Sequence, residues 1–121
     1  MEKRIPFIAA NWKMYKNQAE TVSFLKELQK VVGSCTDREV MIAPPSTALA
    51  AARGAMNLPG YHLAGQNCHW EEKGAFTGEI SGPMLQEVGC DCVILGHSER
   101  RHLFGETDDM IQKKLAAAFR W

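Results

Sequence analysis

A chain of 121 residues can bury one modest core, and 45% hydrophobic with 23% charged residues is the balance of an ordinary globular protein. Its 14 basic side chains match its 14 acidic ones, so no global positive field points to nucleic acid or an anionic membrane as a partner. No apolar run approaches the roughly 18 residues of a membrane span. Met1–Pro6 leads into an apolar stretch too short for a secretory leader, so the expected location is cytoplasmic.

Taken in chain order, short β-like runs alternate with helical patterns. The first run is Ile5–Ala10, followed by a helix opened by Asn17, with Glu20 three residues on as its capping-box partner. Val22, Leu25, Leu28 and Val32 fall on one predicted face of that helix, and Gly33 is placed to end it. A second strand, Val40–Ala43, runs into Pro44-Pro45, after which Ser46 is expected to cap an Ala-rich helix reaching about Met56. Tyr61–Gly65 reads as a third strand, and a long Gly-containing loop runs from Gln66 to about Ile80. Ser81 opens a short helix ending near Gly89. Cys92–Leu95, a continuous apolar run, has the pattern of a strand covered on both faces. The last predicted helix starts near Thr107, with Asp108 and Asp109 in its first turn and Ile111, Leu115 and Phe119 as its apolar stripe.

Strands alternating with helices imply right-handed crossovers and a parallel sheet, as four consecutive βα units without a linker. In such folds the chemistry sits on loops that follow the strands' C-terminal ends. Asn11 and Lys13 follow the first strand and can both face a polyanion. Gly96-His97-Ser98-Glu99-Arg100-Arg101 follows the fourth, and a histidine in the first turn of a helix is expected to stay neutral and donate a hydrogen bond to a carbonyl. The loop from Gln66 to Ile80 is long enough to suggest a functional or interface role. His62, His69 and His102 read as surface or structural residues. The cysteines Cys35, Cys68, Cys90 and Cys92 form no C-x-x-C pair and read as reduced, packed thiols; on a strand, Cys90 and Cys92 would share a face, poor geometry for a metal without further ligands. No phosphate-cradling glycine motif supports a nucleotide-binding domain.

Five segments in register give the chain its resemblance. Ala10-Asn11-Trp12-Lys13-Met14, Ala43-Pro44-Pro45, Gly65-Gln66-Asn67, Gly74 to Ser81 and Leu95 to Arg101 together resemble triosephosphate isomerase. The resemblance implies an α/β fold, a parallel (βα)4 unit forming half of a TIM (β/α)8 barrel, with residues 1–121 as a single N-terminal half-barrel and the C-terminal half absent. It implies interconversion of dihydroxyacetone phosphate and glyceraldehyde 3-phosphate through an enediol, in glycolysis and gluconeogenesis, with neither metal nor organic cofactor. Asn11 and Lys13 would contact the triose phosphate, and His97 would be the neutral electrophile for which this enzyme is a standard worked case. Ser98 would hold the resting base and Glu99 would orient Lys13. Thr77 would insert into the partner of a homodimer, with Glu79, Arg100 and Glu106 bracing that contact.

The same resemblance places the glutamate base, the lid and the late phosphate loops in the absent half. The chain alone is therefore expected to be inactive, and to be marginal, aggregation-prone or paired with another copy or with the missing half through its open strand edges. Two alternatives stay open on sequence: a non-catalytic half-barrel serving as an assembly or interaction module, and a flattened, doubly wound sheet.

Overall fold

The computed structural model describes residues 3–121; Met1 and Glu2, part of the segment read for a leader, lie outside them. The elements are β1 (Phe7–Asn11), α1 (Gln18–Val32), β2 (Glu39–Ala43), α2 (Leu49–Ala55), β3 (Tyr61–Gly65), α3 (Gly82–Glu87), β4 (Cys92–Val93), α4 (Ser98–Phe104) and α5 (Asp108–Ala118). The strands are all parallel and lie in the order β1-β2-β3-β4. No helix among the described residues is long and apolar enough to cross a membrane.

A strand order that follows chain order decides between the two sheet architectures. Right-handed crossovers that always step the same way deliver every helix to one face, whereas a doubly wound sheet reverses direction at a switch point. Leu25 of α1, Leu49 and Ala52 of α2, and Leu85 of α3 pack with Val40, Ile42, Tyr61 and Leu63 in one large cluster. The opposite face holds a small cluster of strand residues, Met41, Ala43 and Ala64, with Cys92 and Ile94 against it. Four parallel strands with helices on one face form the (βα)4 unit of a partial TIM barrel, and the flattened, doubly wound alternative is discarded.

Local chemistry sets most element ends. Asn17 accepts from the Glu20 N–H at 2.9 Å, and the Glu20 carboxylate accepts from the Asn17 N–H at 2.9 Å, so the expected capping box closes. Gly33 ends α1 with φ 74, a conformation that favours glycine. Ser81 and Thr107 cap α3 and α5 by accepting from Met84 N–H and Met110 N–H.

Several expectations need correction. The buried face of α1 is Thr21, Leu25 and Gln29, with Val22 and Leu28 half-buried and Val32 exposed. Gln29 is drawn inward because its side chain donates to Ala55 C=O at 2.6 Å and accepts from Asn57 and Leu58 N–H. Ser46 caps nothing: it opens a short 3-10 turn, Ser46–Ala48, and α2 starts at Leu49 without a side-chain cap. β4 is only Cys92–Val93 and is half-buried, because it pairs on one side alone and its other edge is open among the described residues. Cys90 lies before β4 and packs against the helix-side cluster, whereas Cys92 packs on the opposite face, so the two thiols do not share a face. Between β4 and α5 lies α4, the helix expected after the fourth strand, with His97 as its N-cap and not in its first turn. On α5 the inward residues are Lys114 and Ala117; Leu115 and Phe119 are exposed, for a reason the site explains.

Candidate active site

The ends of β1 and β3, the turn after β2 and the start of α4 surround a cavity of about 370 Å³. Asn11, Lys13, Gln66, His97 and Glu99 all line it, so residues 86 positions apart in sequence meet at one mouth. Its size lies within the usual range for small-ligand sites, about 300–1,000 Å³.

Lys13 is the most constrained residue here. Its φ is 54, left-handed and uncommon for a residue with a Cβ. Two bonds hold it there: its N–H donates to Asn11 Oδ1 at 2.9 Å, and its carbonyl accepts from Gln66 Nε2 at 2.8 Å. Gln66 Nε2 also donates to Ala43 C=O at 2.8 Å, tying the loop after β1 to the end of β2. Backbone strain that neighbours over-determine is a feature of working sites. The outcome is an ammonium aimed at Glu99, Nζ to Oε1 at 2.6 Å. The Glu99 bond raises the pKa of Lys13 above the ordinary lysine value, and the same bond, against a smaller desolvation effect, lowers that of Glu99.

His97 is the N-cap of α4, and its Nδ1 accepts from the Glu99 N–H at 3.1 Å. A ring nitrogen that accepts carries no proton, so the network assigns the ring's N–H to Nε2 and makes it a neutral donor. Gly96, with φ 65, supplies the turn from β4 into His97. A Cβ there would strain the backbone, and it would also press on the end of the Ile111 side chain of α5 at 3.0 Å, so the positive φ is what calls for glycine.

Behind the cavity lies a buried charge chain. Glu106 Oε2 accepts from Arg100 Nε at 2.7 Å and from Lys114 Nζ at 2.8 Å, and Lys114 also donates to Asn67 Oδ1 at 3.0 Å. Burial opposes the Glu106 charge, but its bonds from Lys114 and Arg100 outweigh that and lower its pKa. Lys114 and Glu106 are nearly solvent-free, which is why α5 turns a lysine inward where an apolar stripe was expected. Asn67 and Arg100 also line the cavity, so this chain braces its wall.

The remaining predicted residues are placed as follows. Glu79 and Arg100 line the cavity. Ser98 is exposed and opens α4, and Thr77 is exposed beside the cavity-lining Gly78. Glu106 is enclosed by its own chain's Arg100 and Lys114. Sequence reasoning gave no role to Gln66 or Lys114; the available signals were an amide directly after a strand and a lysine in the middle of a helix's apolar pattern.

Comparison with known proteins accords with this geometry. The family model described as Triosephosphate isomerase matches residues 6–121. A triosephosphate isomerase of Aquifex aeolicus (strain VF5) is 54% identical over 110 residues, covering 91% of this chain and 44% of the relative. That of Dictyoglomus turgidum (strain DSM 6724 / Z-1310) is 49% identical over 118 residues, 98% of this chain and 47% of the relative. That of Geobacter metallireducens (strain ATCC 53774 / DSM 7210 / GS-15) is 50% identical over 115 residues, 95% and 46%. The chain thus spans about half the length of the curated relatives it matches. With a match running from before β1 to Trp121 on a (βα)4 sheet, the chain belongs to the triosephosphate isomerase family.

Proposed function

We propose that these residues supply the electrophilic half of a triosephosphate isomerase site. The substrate is a triose phosphate, dihydroxyacetone phosphate or glyceraldehyde 3-phosphate, interconverted through an enediol in glycolysis and gluconeogenesis in the cytoplasm. The observation that carries the reading is the convergence of the His97 imidazole, with its N–H on Nε2, and the paired Lys13 ammonium on one cavity. A neutral donor and a fixed cation are what a carbonyl oxygen needs as it gains negative charge. Asn11, whose Oδ1 is engaged by the Lys13 N–H, offers its amide nitrogen to the same ligand.

A general base for the carbon-bound proton is the missing part. Glu99 is held ionised by Lys13, and Glu106 is buried between two cations, so both are poor proton acceptors. Glu79 is the remaining carboxylate on the cavity wall. We therefore assign the base to a segment beyond these residues, with the chain inactive alone; absence of a base costs about 10²- to 10⁴-fold in rate. Thr77, Glu79, Arg100 and Glu106 are proposed to serve a homodimer contact, and Ser98 to hold the base at rest. The test is a coupled assay of glyceraldehyde 3-phosphate isomerisation with the purified chain and a His97→Gln variant prepared in parallel. Neither should turn over substrate. Activity in the wild type that is lost in both His97→Gln and Glu79→Gln would overturn the assignment and make Glu79 the base.

A second reading, a non-catalytic assembly module, is favoured by one observation: Phe7 and Ile8 on the β1 edge are 50% and 53% exposed. Self-association without turnover, even after addition of a C-terminal half, would select it.

A further inference from the structure

At the end of the sheet opposite the cavity, side chains from three strand starts converge. A ring nitrogen of His62 on β3, a carboxylate oxygen of Asp91 and the Cys92 sulfur of β4 all lie within 4.8 Å of one another. Glu39, the first residue of β2, faces the other ring nitrogen from Asp91, its carboxylate oxygen 3.7 Å from His62 Nε2, and so orients the ring without being a donor to the group. The register explains the meeting. Met41 pairs with His62 and Ala64 with Cys92, so Glu39, His62 and Cys92 share the face that carries no helix, by the two-residue alternation of strands.

The geometry points to a binding site for a zinc-class divalent cation at His62, Asp91 and Cys92. One imidazole nitrogen, one thiolate and one carboxylate oxygen, with solvent completing the shell, make a donor set that suits a borderline cation with bonds of about 2.0–2.3 Å. Part of the site is already ordered. Asp91 Oδ1 accepts from Leu63 N–H at 3.0 Å and its Oδ2 lies 2.7 Å from His62 Nδ1, so ring and carboxylate are mutually oriented. Cys90, two residues earlier, packs on the other face and is not a donor. On binding, Cys92 loses its thiol proton to solvent and its sulfur takes the cation. The site is far from the reacting groups and its role is structural. β4 is joined to β3 through a ladder of only two residue pairs, and the cation would clip β4 to β3.

Cobalt(II) is the probe, titrated into the whole chain kept reduced by a phosphine. One equivalent should bind with a thiolate-to-cobalt charge-transfer band. Cys92→Ser should abolish the band, His62→Gln should weaken binding about tenfold or more, and Cys90→Ser should leave both unchanged. Zinc should raise the thermal midpoint of the wild type but not of Cys92→Ser. Absence of the band, its survival in Cys92→Ser, its loss in Cys90→Ser, or a band indifferent to His62→Gln would each overturn the site.

Discussion

Lys13 and Glu99 show how much one residue's setting depends on a partner far along the chain. The raised Lys13 pKa means that its share of stability is present below the ordinary lysine range and is lost as pH climbs through the raised value. The lowered Glu99 pKa works the other way: its share is present above the ordinary glutamate range and is lost as pH falls through the lowered value. The pair therefore persists across the neutral range and opens only outside both. Titration of the Lys13 ammonium by nuclear magnetic resonance should give a midpoint above that of a free lysine, and Glu99→Gln should return it toward the ordinary value. An unchanged midpoint in Glu99→Gln would remove Glu99 as the orienting group. Asn11, Lys13 and His97 stood out in sequence because each was expected just after a strand; Asn11 ends β1, Lys13 lies two residues on and His97 four residues beyond β4, all on one cavity. Gln66's bracing role was not, because it depends on where two other loops end.

At the scale of elements, the caps at Asn17, Ser81 and Thr107 were readable, whereas the Ser46 cap failed and burial was not readable. The Asn17–Glu20 box needs only local spacing, so Asn17→Ala should destabilise the chain by about 1 kcal/mol in denaturant melts, with little change in slope. The inward face of α5 was misread because periodicity records where apolar residues recur, and it cannot show that a carboxylate on the preceding loop awaits a lysine. Removing Lys114 leaves Glu106 buried with Arg100 as its remaining cation. Breaking one partner of a buried pair costs about 3–5 kcal/mol, so Lys114→Met should lower the melting temperature far more than Lys113→Met on the exposed side of the same helix. Equal melting temperatures for the two would show that the charge chain contributes nothing net. β4 read longer than it is for a related reason. An apolar run does not record where its ladder ends, and the ladder from β3 to β4 ends at Gly65 and Val93.

At the largest scale, one sheet face without a helix and two open edges among the described residues govern behaviour. Phe7 and Ile8 at the β1 edge and the two-pair ladder of β4 leave strand edges available for pairing. In sedimentation experiments the chain should self-associate with rising concentration. Mixing with a separately expressed C-terminal half from a relative should replace that association by a one-to-one complex with isomerase activity that His97→Gln abolishes. A monodisperse monomer that ignores the added half would argue against both the open-edge account and the shared site. The fold class was legible because strand and helix patterns alternate through the chain. The choice between a barrel segment and a doubly wound sheet came from the family resemblance and not from local patterns, because it rests on strand order, which no local pattern encodes.

That strand order has a consequence for how the chain acquires its structure. Each strand hydrogen-bonds to the strand one βα unit before it, and no described strand must wait for a distant one. A chain emerging from the ribosome can therefore add β2 to β1, β3 to β2 and β4 to β3 as each is made, closing only loops of a single unit at every step. Synthesis and assembly run in the same direction, and the last edge formed is the one on which the next unit of a longer barrel would grow.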